Sequence, residues 1–159
     1  MKPTLVVGLG NPLMGDEGIG WHLVARLAGD PRLPPDVEIM WGGTDLLACW
    51  DWFEGRQRIV LIDALEGENP GRVSRCSLDQ MDVRNGCSHR LSAAAALLLY
   101  AGGCAAPPEM QLIGVEIGHV WVGFGLTPVV SASITHAVQV VLGCLREKGQ
   151  RELKFTPAR

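Results

Sequence analysis

The 159-residue chain lacks several patterns that would assign a chemistry at once. Its five cysteines are odd in number and include no C-x-x-C pair, which argues against a zinc ribbon and against a disulfide framework. Idle, buried thiols in a reducing compartment are the expected use. There is no G-x-S-x-G elbow, so the serine nucleophile built on that turn is not indicated. The Walker ending Gly-Lys-Ser/Thr is absent as well. A net charge of −3 gives no electrostatic footprint for nucleic acid. The first residues carry one lysine, and their apolar run is broken by Gly8, Gly10, Asn11 and Pro12, unlike a signal peptide. The apolar stretch Leu91 to Ala106, interrupted by Tyr100 and Gly102-Gly103, is too short to span a bilayer. No internal repeat or low-complexity segment occurs. These absences predict a cytoplasmic protein with neither a membrane nor a nucleic-acid partner. The length suits one domain over 1–159, with a charged tail from 146 expected to fray.

What is present concentrates in Gly8 to Gly20, GLGNPLMGDEGIG. Leu5-Val6-Val7 enters this stretch, and the helical spacing of Ile19, Leu23, Val24 and Leu27 leaves it, which reads as strand, turn and helix. A dinucleotide fingerprint starting at Gly8 needs glycine at 13, where the chain has Leu13. Asp16 and Glu17 would also repel a phosphate. The turn is therefore read as presenting a carboxylate to a cation or a water. Asp16 is expected to cap the helix, where orphan N–H groups need an acceptor. Glu17 is the stronger functional candidate, because the glycines are expected to open space around it.

The rest of the chain alternates strands and helices. Strands are predicted over 4–8, 37–41, 58–63 and 110–117, with a weak edge strand over 72–77. Helices are predicted over 17–28, over 46–53 with Asp45 or Thr44 as cap, and from Ser88 and His89 to Gly102-Gly103. Thr127 and Pro128 are expected to open a last helix, whose stripe is Val130, Ile134, Ala137, Val138, Val141, Leu142 and Leu145. The order implies a three-layer α/β/α sandwich with a mostly parallel, five-stranded sheet. Asp63 closes the central strand RIVLID, at the carboxyl edge where open α/β sheets bind ligands. Glu17 falls on the same edge. His89 alone would be a solvated histidine beside a cap; with Glu17 and Asp63 it becomes a candidate. Two carboxylates and an imidazole suit a divalent metal with an open position. Glu116 is expected to line the cleft or to pair with an arginine. His119 reads as a polar loop residue.

The stretch GLGNPLMGDEGIG resembles the N-terminal signature of the hydrogenase maturation endopeptidases, which remove a C-terminal extension from the large subunit of nickel–iron hydrogenases. Bacterial peptidyl-tRNA hydrolases also open with GLGNP, but LMGDEGIG after Pro12 is similar to the maturation proteases. Gly42-Gly43-Thr44 resembles their cleft turn, although Asp45-Leu46-Leu47 stands where a further glycine often follows. Gly125-Leu126-Thr127-Pro128 resembles their closing signature. Ser88 replaces the usual threonine before the histidine, and Ile117 the frequent proline after the glutamate. The resemblance implies that Glu17, Asp63 and His89 are the catalytic and metal-engaging residues. It implies nickel, carried by the substrate, as the metal, and a hydrogenase large-subunit precursor as the partner of a chain that is monomeric when free. Asn11, Asp16, Gly42, Gly43, Thr44 and Glu116 become candidates for the substrate cleft. Three alternatives stay open at this point. Glu17 and Asp63 could act as an aspartic-type pair. The chain could be an esterase like the peptidyl-tRNA hydrolases, or a nickel checkpoint or chaperone that does not cut.

Overall fold

Nearly continuous apolar runs at Leu5–Val7, Ile59–Ile62 and Leu112–Val115 demand cover on both faces of a sheet, and the fold supplies it. The computed structural model describes residues 2–80 and 93–147. Its strands are β1 (Thr4–Leu9), β2 (Val37–Gly43), β3 (Arg58–Glu66), β4 (Val73–Ser77) and β5 (Glu109–Ile117). Its α-helices are α1 (Ile19–Ala28), α2 (Ala93–Gly103) and α3 (Pro128–Arg146). Short 3-10 turns cover Gly15–Gly18, Leu47–Trp52 and Leu78–Gln80. The five strands lie in the order β2-β1-β3-β5-β4, and only β4 runs antiparallel to its neighbour. The expected α/β sandwich is therefore the observed one.

Alternation along each strand sorts the core into two layers. Val6, Val60, Ile62, Ile113 and Val115 point to the side of α1 and α3. Leu5, Val7, Ile59, Leu61 and Leu112 point to the side of Phe53, in the loop after β2, and Leu97 of α2. α3 is long and apolar enough to cross a membrane by length and composition alone. Here it is a core helix, burying Val130, Ala137, Val138, Val141 and Leu142. At the amino edge of the sheet the buried arginines are paired, Arg56 with Glu38 at 2.7 Å and Arg58 with Glu109 at 2.6 Å.

Two expectations need correction. β3 does not end at Asp63. It continues to Glu66 because β5 runs beside it as far as the Glu66–Ile117 pair, while its pairing with β1 stops at Gly8–Ile62. Asp63 is thus the first β3 residue without a β1 partner. The glycines near Glu17 do not open space for another molecule either. A Cβ on Gly20 would stand 2.0 Å from the Leu9 carbonyl oxygen, and one on Gly10, whose φ is +112°, 1.9 Å from the Glu17 carbonyl oxygen. These positions admit the chain's own backbone, so that α1 and the preceding turn can lie directly against β1.

Gly20→Ala is therefore expected to cost about 3 kcal/mol or more, because backbone rather than a flexible side chain must move. Urea denaturation measures it, and a loss below about 1 kcal/mol would show that the turn can relax without cost.

Candidate functional site

The parallel arrangement of β1 and β3 carries the chain from both strands to the same sheet edge. After β1, the Gly15–Gly18 turn holds Glu17, half-buried, above that edge. Asp63, also half-buried, sits where β3 emerges past the last β1 pair. Pleat alternation places Asp63 with Leu61, on the side of the sheet that α2 covers. Burial pushes its carboxyl up to about 7, the Ala64 N–H at 2.8 Å pulls the other way, and the Glu17 carboxylate adds to the rise. The two carboxylates are near enough to feel each other's charge. That coupling is the electrostatic signature of the site.

Asp16 does not cap α1. No side-chain cap bond exists at that helix start, and Asp16 is fully buried. Its carboxylate instead accepts from the Thr127 N–H at 2.7 Å, the Thr127 hydroxyl at 2.8 Å, and the N–H groups of Gly118 and His119 at 3.3 Å. Its own N–H donates to the His119 carbonyl at 3.2 Å. Thr127 does precede Pro128 at the start of α3, but its hydroxyl serves Asp16 rather than the helix. This clasp fixes the turn bearing Glu17 to the segment between β5 and α3. A second tie joins Gly15 N–H to the Gly123 carbonyl at 3.0 Å, and Gly123 N–H to the Leu13 carbonyl at 2.9 Å. Asp16 and Thr127 are 111 positions apart, and no local pattern pairs them.

The remaining candidates divide. Asn11 folds the turn on itself, its side-chain oxygen accepting from Leu13 N–H at 3.0 Å. Gly42 is the extra residue where the β1–β2 register shifts, packed against Val7, Leu9 and Cys49. The Gly43 carbonyl accepts from Gly10 N–H at 2.7 Å, and Thr44 is exposed in the turn that follows. Neither Asp45 nor Thr44 caps the next 3-10 turn, whose start has Leu46 and no side-chain cap bond; Asp45 makes a local turn before it, accepting from Leu47 N–H at 3.0 Å. Glu116 takes the second use foreseen for it: its buried carboxylate pairs with Arg72 and accepts from Asn69 N–H at 2.9 Å, pinning the turn after β3. His89 lies outside the described residues, four positions before Ala93. Among the described residues no group of three His, Cys, Asp or Glu side chains is placed to hold a metal; two of the three expected ligands, Glu17 and Asp63, are brought together. A shallow groove of about 220 Å³ between α1 and β2, lined by Trp21, Val24, Ile39 and Trp41 among others, contains no carboxylate and is not this site.

Known proteins match this chain both in sequence and in fold. The hydrogenase maturation protease family model matches residues 21–144. The hydrogenase 2 maturation protease of Escherichia coli K12 is 33% identical over 150 residues, covering 91% of this chain and 92% of its own. The solved hydrogenase maturating endopeptidase HybD from E. coli superposes with a TM-score of 0.76 at 30% identity, covering 94% of each chain. The hydrogenase 2 maturation peptidase from a Thaumarchaeota archaeon gives 0.69 at 29% identity, covering 92% of this chain and all of its own.

The raised Asp63 carboxyl has a signed consequence for stability. The folded chain keeps a proton that the unfolded chain releases from about pH 4 upward, so stability falls as pH climbs from about 4 to about 7 and stays lowered above. Asp63→Asn removes that penalty while keeping an acceptor for Ala64. Its advantage over the parent should be absent near pH 3 and reach roughly 1–3 kcal/mol by pH 8, less than the full shift because Asp63 keeps some water. Thermal melts across pH check it. A gap that does not grow with pH would contradict the placement of Asp63.

Proposed function

The chain belongs to the hydrogenase maturation protease family, and from that premise we propose that it is the endopeptidase that removes the C-terminal extension of a nickel-loaded hydrogenase large-subunit precursor. The observation that carries the proposal is the meeting of Glu17 and Asp63 at the carboxyl edge of the sheet, with the electrostatic coupling that lifts Asp63. The donor set fits a divalent cation: hard carboxylate oxygens from two segments, with His89 as third ligand. Glu17, Asp63 and His89 would hold the nickel that the substrate carries, and a metal beside the scissile carbonyl polarises it or activates water. Ligation requires Asp63 to lose its proton, so engagement of the precursor releases about half a proton per site at pH 7. Two carboxylates and a histidine do not select nickel by affinity alone, which assigns selectivity to an ion already seated in the precursor. The enzyme works in the cytoplasm and is a monomer when free.

A second reading is favoured by the same coupling. A carboxyl near 7 beside a second carboxylate holds one proton between two groups at working pH. One member can then take a proton from water while the other protonates the leaving amine, as the C–N bond breaks and water adds to the carbonyl carbon. The peptidyl-tRNA hydrolase alternative has no comparable support, since the sequence after Pro12 and the relatives both run with the maturation proteases. A checkpoint without cleavage is separated from either reading by product formation.

Glu17→Gln, Asp63→Asn and His89→Ala are each expected to abolish processing of a nickel-loaded precursor without loss of fold. Intact-mass spectrometry reads the processing and circular dichroism the fold. Asp63→Asn is the informative member, because it should be more stable than the parent above pH 7 yet inactive. Metal-free precursor should stay uncut. Equal cleavage of both precursors would select the carboxylate pair, and normal processing by all three variants would remove the site assignment.

A further inference from the structure

The segment that Asp16 holds has features that the carboxylate site does not use. Between Ile117 and Leu145 the chain has no Asp, Glu, Lys or Arg. Much of this uncharged stretch is core helix, but its first part is surface. Val122 is 87% exposed, Phe124 60% and Val120 52%, and Leu13 beside them is 60% exposed. Large apolar side chains gathered on one surface mark an interaction site rather than scattered exposure.

This surface is built rather than loose. Its backbone is bridged to the Leu13–Gly15 segment through Gly123 and clasped by Asp16 at both ends, at Gly118–His119 and at Thr127. The Trp121 ring occupies the place of a Cβ on Gly15, whose φ is +57°. Phe124 rests one edge on Trp21 and His22, at ring-centroid distances of 5.4 and 5.3 Å, and leaves the rest outward. A preorganised apolar surface binds without first having to be ordered.

The same Gly15–Gly18 turn that touches this segment carries Glu17. The backbone bonds Gly15 N–H to Gly123 O and Asp16 N–H to His119 O set the segment directly against the turn that carries Glu17, so the surface adjoins the site. With no formal charge on the segment, it favours neither an acidic nor a basic partner. We infer that Leu13, Val120, Val122 and Phe124 form the docking surface for an apolar, uncharged segment of the hydrogenase precursor flanking the scissile bond. The inference rests on the proposed protease function and specifies how its substrate is gripped.

Steady-state cleavage of nickel-loaded precursor tests it with the parent, Val122→Glu, Phe124→Ser, and Leu99→Gln as a control on the opposite layer, where Leu99 is 58% exposed. Val122→Glu and Phe124→Ser should each raise KM about tenfold with kcat within about twofold, as loss of uniform binding requires. The control should leave both constants unchanged. Because Val122 is almost wholly solvent-exposed, its variant should melt with the parent, which separates docking from folding. Unchanged KM in both patch variants, or a fall in kcat alone, overturns the inference while leaving the protease function standing. Sedimentation that shows a parent dimer dissolved by Val122→Glu also overturns it and assigns the surface to a second copy of the chain. Failure of the parent to cut the precursor removes the function itself, and the inference with it.

Discussion

A carboxylate with no access to water must find its hydrogen-bond donors inside the protein or the fold loses several kcal/mol. Asp16 is in that position, and it finds them in Gly118, His119 and Thr127. The consequence is geometric. The turn after β1 cannot shift without the segment after β5 shifting too, and Thr127 leads into α3, a core helix of 19 residues. Glu17, the next residue in the chain, inherits that rigidity. A site on a loop is thereby held with the precision of a site on the sheet.

The second determinant is a difference in strand length. β1 stops pairing at Ile62 of β3, while β3 and β5 continue together to the Glu66–Ile117 pair. Asp63 therefore stands at a step in the sheet, half-buried and lacking the neighbouring strand on one side. Glu17, in the turn that follows β1, is near enough for its charge to act on Asp63. Burial together with a nearby like charge keeps Asp63 on the edge of ionisation near neutrality. That state suits both exchange of a proton for a metal ion and sharing of a proton between two acids. Glu116, by contrast, has its carboxylate engaged by Arg72 and Asn69, and so supports the wall behind the site.

Much of this was legible in the residues. Apolar strands such as LVV and RIVLID, helical stripes and turn glycines give the order of elements, and the parallel order places the ends of β1 and β3 on one edge. Glu17 and Asp63 follow from that edge. The role of Asp16 was not legible, because a capping position and a buried clasp look identical until its partner is known, and that partner lies 111 positions away. The glycines misled for a related reason: a residue without a Cβ signals close approach but not of what, and here the approaching group is the chain's own backbone. The true end of β3 was hidden because the polar Asp63 interrupts the apolar run while β5 continues the pairing beyond it.

Glu17 and Asp63 thus act as one electrostatic unit at the sheet edge. Carbon-13 NMR titration of the Asp63 side-chain carboxyl, in the parent and in Glu17→Gln, tests it most directly. The midpoint should lie near 7 in the parent and lower once the Glu17 charge is removed. A parent midpoint in the ordinary carboxylate range near 4, unmoved by Glu17→Gln, would contradict it.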